Sequence, residues 1–311
     1  MGPVDYRCCR LIFGEADQFP GLTVDRFENI LVTQVLSLGM ERRKDWVYRA
    51  LVELLREDGE QIDAIYERND VTIRTLEGLE QGKGFYQMEG LRTDLSGHVT
   101  ITENGIKYDV DYIEGQKTGF FLDQKYNRQA AAKLARGRRV LDCFTHTGAF
   151  ALNAAAAGAE HVTAVDVSAF ALELAAENGK RNGLTNLDYK CADVFDLLTE
   201  MAKEKKCDYD YIILDPPAFT KSRATAKNAY HGYKEINRKA MRLLPRGGYL
   251  ATCSRSHFMT DEMFRKMLWE AALDAGVTLR QIEARQQAPD HPILPEVPET
   301  DYLKFYLLQV V

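Results

Sequence analysis

The chain has 311 residues, 45% of them hydrophobic and 28% charged, with a net charge of −6. That length suits two domains of ordinary size. The longest apolar runs exclude a membrane span, and the acidic total excludes a chain that coats nucleic acid with a uniformly basic surface. Six scattered cysteines without CxxC spacing suggest neither a disulfide framework nor a metal site. The opening MGPVDYRCCR carries no apolar signal segment, so a cytoplasmic protein with reduced thiols is expected. Acid is concentrated at the front: residues 1–119 hold 14 Lys and Arg against 22 Asp and Glu, and residues 120–311 hold 26 against 24.

Residues 10–38 read as short strands around a break at Phe19-Pro20-Gly21, with Leu31, Val32, Val35 and Leu36 as apolar strand material. From Glu41 to Glu57 the positions Val47, Leu51, Leu54 and Leu55 recur at helical spacing, and Asp58-Gly59 ends the pattern. Strand-like sequence follows from Ile62 to Arg74. The spacing predicts a small strand-strand-helix-strand-strand domain over 1–95, which could contact RNA. Next, VTITENGIKYDVDY (99–112) alternates on both sides of Asn104-Gly105, the pair that most readily takes the positive dihedrals of a two-residue turn. A β-hairpin linker is predicted over 96–119.

Beyond Gly119, apolar strands alternate with amphipathic helices over 120–311, the pattern of βαβ units and a parallel sheet. Strands are predicted at 138–144, 161–167, 187–192, 209–215, 247–253, 277–285 and 302–310. The segment RRVLDCFTHTGAF (138–150) puts an acid and a glycine turn where the first strand hands over to a helix, the cofactor position of this architecture. Asp142 suits a cationic ligand, and Gly148 admits the ligand to the backbone. Phe144 and Thr145 lie on the same turn. A single glycine does not make the GxGxxG of a dinucleotide site, which disfavours a nicotinamide oxidoreductase.

The second strand ends at Asp166, whose carboxylate suits both hydroxyls of a ribose, with Ser168 just beyond. The third ends at Asp193, placed to accept the amine of adenine. Taken singly, each acid also suits the cap position of a helix. Together, a cation, a ribose and an adenine describe S-adenosylmethionine.

The fourth strand stops at Asp215-Pro216-Pro217-Ala218-Phe219, where two prolines stiffen a loop that can hold a carboxylate and an aromatic ring against a nucleobase. After the fifth strand, Cys253 stands at the same sheet edge. Methylation at carbon 5 of a pyrimidine requires a thiolate to add at carbon 6, whereas an exocyclic nitrogen needs only to be oriented. Lys221, Arg223, Lys227, Lys234, Arg238, Lys239, Arg242 and Arg246, with Tyr230, His231 and Tyr233 among them, form a stretch suited to single-stranded RNA or to a solvated helix face. His291 is read as a structural turn residue.

The segments RLIFGEADQFPGLTVDRF (10–27), TGFFLDQKYNR (118–128), VLDCFTHTGAFAL (140–152), AVDVS (164–168), LDPPAF (214–219) and PDHPILPEVPETDYLK (289–304) resemble the bacterial cytosine-5 methyltransferases of large-subunit ribosomal RNA over nearly the whole chain. The resemblance implies a Rossmann-like class I methyltransferase with a mostly parallel seven-stranded sheet, preceded by the small α+β domain and the hairpin. It also implies that Phe121, Asp123, Gln124 and Arg128 fold over the methionine end of the cofactor or brace the site. The partner implied is large-subunit rRNA or a ribosome assembly intermediate, with a homodimer left open.

Two departures stand out. The family begins with a PUA domain, and this chain starts where the second domain would. The family's fifth-strand motif often reads TCSCS, with the second cysteine the nucleophile in some members, and Arg255 stands there; Cys253 coincides with the cysteine of the wider ATCS motif. The expected reaction is 5-methylcytidine formation through Cys253. Methylation of an exocyclic amine and a non-catalytic RNA-binding protein are the alternatives.

Overall fold

The computed structural model describes residues 5–204, 207–219 and 226–311. Two compact units emerge, Met1–Lys125 with Ala288–Thr300, and Tyr126–Gln287 with Asp301–Val311. The division falls at 125/126 instead of 119/120, the hairpin groups with the first unit, and residues 288–300 return to it. Backbone bonds explain the return: the Ala288 amide donates to the Asp123 carbonyl, and the Arg10 amide to the Asp290 carboxylate at 3.1 Å.

The first unit carries β1 (Cys8–Phe13), β2 (Leu22–Phe27), β3 (Ile30–Val35), α1 (Leu38–Glu41), α2 (Lys44–Glu57), β4 (Ala64–Asn69) and β5 (Gly82–Phe85), then the hairpin β6 (His98–Glu103) and β7 (Ile106–Asp111). The sheet runs β1-β2-β3-β4-β5 and is antiparallel except for the parallel pair β3/β4. Three strands precede the helix, one more than expected. The extra turn joins β2 to β3 at Glu28-Asn29, where Glu28 takes φ 55° without the glycine or proline that normally announces such a turn.

Helix α2 turns Val47, Tyr48, Val52 and Leu55 onto Leu22, Val24, Leu31, Val35 and Ile65 of the sheet. Leu54, assigned to this face by its spacing, is exposed instead. The hairpin has Asn104 at φ 54° and Gly105 at φ 81°, both central residues left-handed as a type I′ turn demands.

After α3 (Lys125–Ala132), the second unit alternates β8 (Arg139–Cys143), α4 (Ala149–Ala156), β9 (His161–Asp166), α5 (Ala169–Arg181), β10 (Leu187–Cys191), α6 (Val194–Glu204), β11 (Tyr211–Leu214), α7 (Ala226–Leu243), β12 (Tyr249–Ser254), α8 (Asp261–Ala275), β13 (Leu279–Arg285) and β14 (Lys304–Val310). The sheet order is β10-β9-β8-β11-β12-β14-β13, parallel except for β14, which runs antiparallel to both neighbours. It is the mostly parallel seven-stranded sheet of the class I methyltransferase fold.

Strand alternation splits the core into two layers. On β11, Tyr211 and Ile213 face one layer with Phe150, Cys253 and Phe305, while Ile212 and Leu214 face the other with Tyr233, Phe264 and Met267. Both faces are buried, which is why these strands read as continuous apolar runs. Among the described residues, no helix is long and apolar enough to cross a membrane.

Candidate active site

The parallel strands β8, β9, β10, β11 and β12 all end at one sheet edge, where Asp142, Asp166 and Asp215 come within electrostatic reach of one another. Asp142 is fully buried on β8, level with Ile213 of β11. Its Oδ2 accepts from the Thr145 hydroxyl at 2.6 Å, while among the described residues no donor reaches Oδ1 in normal hydrogen-bond geometry. Burial, reinforced by the charges of Asp215 and Asp166 and opposed by the Thr145 hydroxyl and the Ala151 amide, pushes Asp142 up to about 7.

The following turn is held in an uncommon backbone shape: Phe144 and His146 have φ of 64° and 51°, and Gly148 has 85°. Left-handed non-glycine residues persist only where surrounding bonds enforce them. Here the Thr145 amide donates to the Val165 carbonyl and the His146 amide to Asp166 Oδ2 at 2.9 Å. Gly148 is required by close packing as well as by its backbone shape, since a Cβ there would lie 2.4 Å from Leu152 Cδ1 and 3.0 Å from Ala175 Cβ. Asp166 also accepts from the Ser168 amide at 2.9 Å, so its carboxylate is aimed by two backbone donors. Exposed apolar side chains, Val167 and Phe170, flank it.

These features fit S-adenosylmethionine: a buried carboxylate at the strand end, a left-handed turn beside it, an oriented carboxylate for a ribose and apolar surface next to that. Two predicted contacts have structural duties. Ser168 caps α5 by accepting from the Ala171 amide, and Asp193, exposed, caps α6 by accepting from the Asp196 amide at 3.1 Å. Thr145 is committed to Asp142. Arg128 is buried on α3, with its guanidinium carbon 6.0 Å from the centre of the Phe150 ring. Phe121, Asp123 and Gln124 belong to the first unit, the last two buried, and Lys117 lies over the Phe121 ring.

Asp215 leaves β11 with a 12% exposed side chain and pairs at 3.3 Å with Arg255, which follows β12. Pro216 is buried and Pro217 exposed. The half-buried Phe219 ring packs against Tyr233 at 4.6 Å, Phe195 at 5.8 Å and Phe144 at 6.5 Å, bracing the Asp-Pro-Pro loop from below.

Cys253, expected as the nucleophile, is 0% exposed and faces the apolar layer of Phe150, Tyr211 and Phe305. Alternation along β12 decides this: Ala251 and Cys253 share that layer, and Arg255, beyond the strand, reaches the mouth. Lys221 and Arg223 lie outside the described residues. Three other cations of the basic stretch serve packing: Lys234 pairs with Asp274 and Glu270, Lys239 with Glu235 and the Thr199 hydroxyl, and Arg242 donates to the Asp274 carbonyl.

Sequence reading gave His146 no role, although it lies within the quoted motif. Burial drives it down to about 4, with Asp166, Arg255 and Arg128 all acting on it, so a neutral imidazole sits among the site's charges. No periodicity or motif spacing announces it; the signal is the strained turn itself.

The family profile described as S-adenosylmethionine-dependent methyltransferase matches residues 86–308. The chain belongs to this family. A protein of Photobacterium profundum named Ribosomal RNA large subunit methyltransferase I is 45% identical over 303 residues, covering 97% of this chain and 74% of that protein. A protein of the same name from Aeromonas hydrophila is 44% identical over 307 residues, covering 98% and 74%. A Streptococcus mutans structure described as a SAM-dependent methyltransferase superposes with a TM-score of 0.81 at 24% identity, over 98% of this chain and 75% of that one, which shows the shared fold. The methyltransferase is therefore an enzyme that uses S-adenosylmethionine.

Because Asp142 is raised in the folded protein, the fold holds an extra proton between the unfolded value near 4 and about 7. Its contribution to stability is present below that window and is lost as pH rises through it. A cation beside Oδ1 favours the charged form, so affinity for S-adenosylmethionine is expected to climb as pH rises towards and past 7. In Asp142→Asn the climb disappears; titration calorimetry across that range reads both.

Proposed function

We propose that this methyltransferase modifies a base of large-subunit ribosomal RNA at an exocyclic nitrogen, held between Asp215 and Arg255. The substrate class is supported by the name of relatives that are identical at over two-fifths of the positions aligned with nearly all of this chain. The choice of nitrogen is carried by one observation: the Asp215–Arg255 pair stands at the exits of β11 and β12, while the thiol of Cys253 is sealed in the core.

Asp142, Asp166 and the turn at Gly148 would hold S-adenosylmethionine, which supplies a methyl group made electrophilic by its sulfonium. Asp215 offers an acceptor beside the donor of Arg255. That pattern complements a base edge where an amine adjoins a ring nitrogen or carbonyl. With an amine N–H on the carboxylate, the nitrogen's electron pair is oriented for attack, and Asp215 can take the proton the nitrogen sheds as its new bond to carbon forms. Phe144, Phe195 and Tyr233 stiffen this arrangement through Phe219. Addition at carbon 6 through Cys253 would require Sγ to reach the face of the base from the apolar layer it shares with Tyr211 and Phe305.

The test is transfer of labelled methyl to unmodified large-subunit RNA and to an assembly intermediate, followed by nucleoside digestion. Label is expected in an N-methylated nucleoside and is expected to persist in Cys253→Ala, at a stability cost of about 1 to 2 kcal/mol. Label in 5-methylcytidine that vanishes with the substitution would restore the thiolate route. Cofactor binding with no label on either substrate would favour a non-catalytic RNA-binding role.

A further inference from the structure

Lys304 opens β14 opposite Ser254 of β12 and is 3% exposed. Its ammonium donates to the Ser256 carbonyl at 2.8 Å and to the Tyr302 carbonyl at 3.1 Å. No carboxylate among the described residues is at ion-pair distance from it. Burying a cation against carbonyls alone is costly, and an apolar side chain of the same length would fill the space more cheaply. What the ammonium achieves is local: Ser256 directly follows Arg255, so the bond fixes the backbone from which the guanidinium reaches Asp215.

We propose that Lys304 is a positioning residue of the acceptor site, its ammonium pinning the exit of β12 so that Arg255 stays on Asp215. The inference rests on the reading of that pair as the acceptor site. The charges acting on Lys304 are Asp301, which precedes β14, and Asp261, in the first turn of α8, which accepts from the Tyr306 hydroxyl; of the charged residues on the adjoining strands, Arg255 after β12 is paired with Asp215, and Arg285 on β13 with Glu283. The two aspartates favour the charged form, but burial outweighs them and pushes Lys304 down to about 8.

Above that pH the amine loses its charge, its bonds to the two carbonyls weaken, and Arg255 slackens. Stability moves the other way. Between about 8 and the ordinary lysine value of 10.5, the unfolded chain holds the extra proton, so this group makes the fold more stable as pH rises. Falling transfer alongside undiminished stability separates positioning from loss of the fold.

In the full-length wild type, methyl transfer is expected to fall as pH rises through 8, in kcat more than in KM for RNA. Lys304→Met is expected to lose roughly tenfold in kcat at neutral pH, to lack the alkaline fall and to bind S-adenosylhomocysteine normally. Lys304→Arg, charged throughout, is expected to recover part of the rate and also to lack the fall, which covers the case where the methionine variant does not fold. An alkaline fall unchanged in Lys304→Arg overturns the proposal. Should the wild type methylate no RNA, the acceptor-site reading fails separately. Hydrogen exchange then decides on Lys304: amides 254–257, corrected for intrinsic rates, lose protection above pH 8 in the wild type but not in Lys304→Arg, and equal protection in both refutes the pin.

Discussion

Gly148→Ala is expected to abolish binding of S-adenosylmethionine and to destabilise the second unit by roughly 2 to 4 kcal/mol. Two independent effects converge. The residue sits at φ 85°, a conformation that a side chain disfavours, and the new Cβ would fall 2.4 Å from Leu152 Cδ1 and 3.0 Å from Ala175 Cβ. Leu152 is fully buried, so its side chain has little room to swing away. Relief by moving the turn would displace Phe144, His146 and the amide that aims Asp166, which dismantles the ribose site. Thermal unfolding and calorimetry with the cofactor read the two effects separately. A variant that binds the cofactor with wild-type affinity would place the ligand elsewhere on the sheet edge.

Asp215→Asn is expected to lower kcat by roughly 10² to 10³ while leaving cofactor affinity near wild type. The amide keeps the size of the side chain and one acceptor oxygen. It cannot take a proton from the attacking nitrogen, and it leaves Arg255 without its anion. Single-turnover kinetics beside cofactor titration measure the split. If cofactor affinity falls in step with the rate, Asp215 belongs to the cofactor site and not to the acceptor.

Much of this arrangement is legible along the chain. Alternating patterns place the seven strands of the second unit within a few residues of their observed limits, and Asp142, Asp166 and Asp215 stand at strand ends as expected. Those features are local, because an apolar run and the acid that stops it are neighbours in sequence. The turn between β2 and β3 was hidden because Glu28 takes a left-handed shape imposed by strand pairing and not by its own preference. Asp193 could be read either as an adenine acceptor or as a helix cap; its carboxylate caps α6.

By itself the sequence determined the order of strands in the second unit, the turn signals at Asn104-Gly105 and Gly148, and which acids end which strands. Only the tertiary structure decided that Cys253 faces the core, that Arg255 meets Asp215, and that Lys304 lies against the chain just beyond Arg255 from a strand some fifty residues later. The physical reason is register. A one-residue slip turns every side chain of a strand to the opposite face, and the pairing that prevents the slip joins segments far apart in sequence.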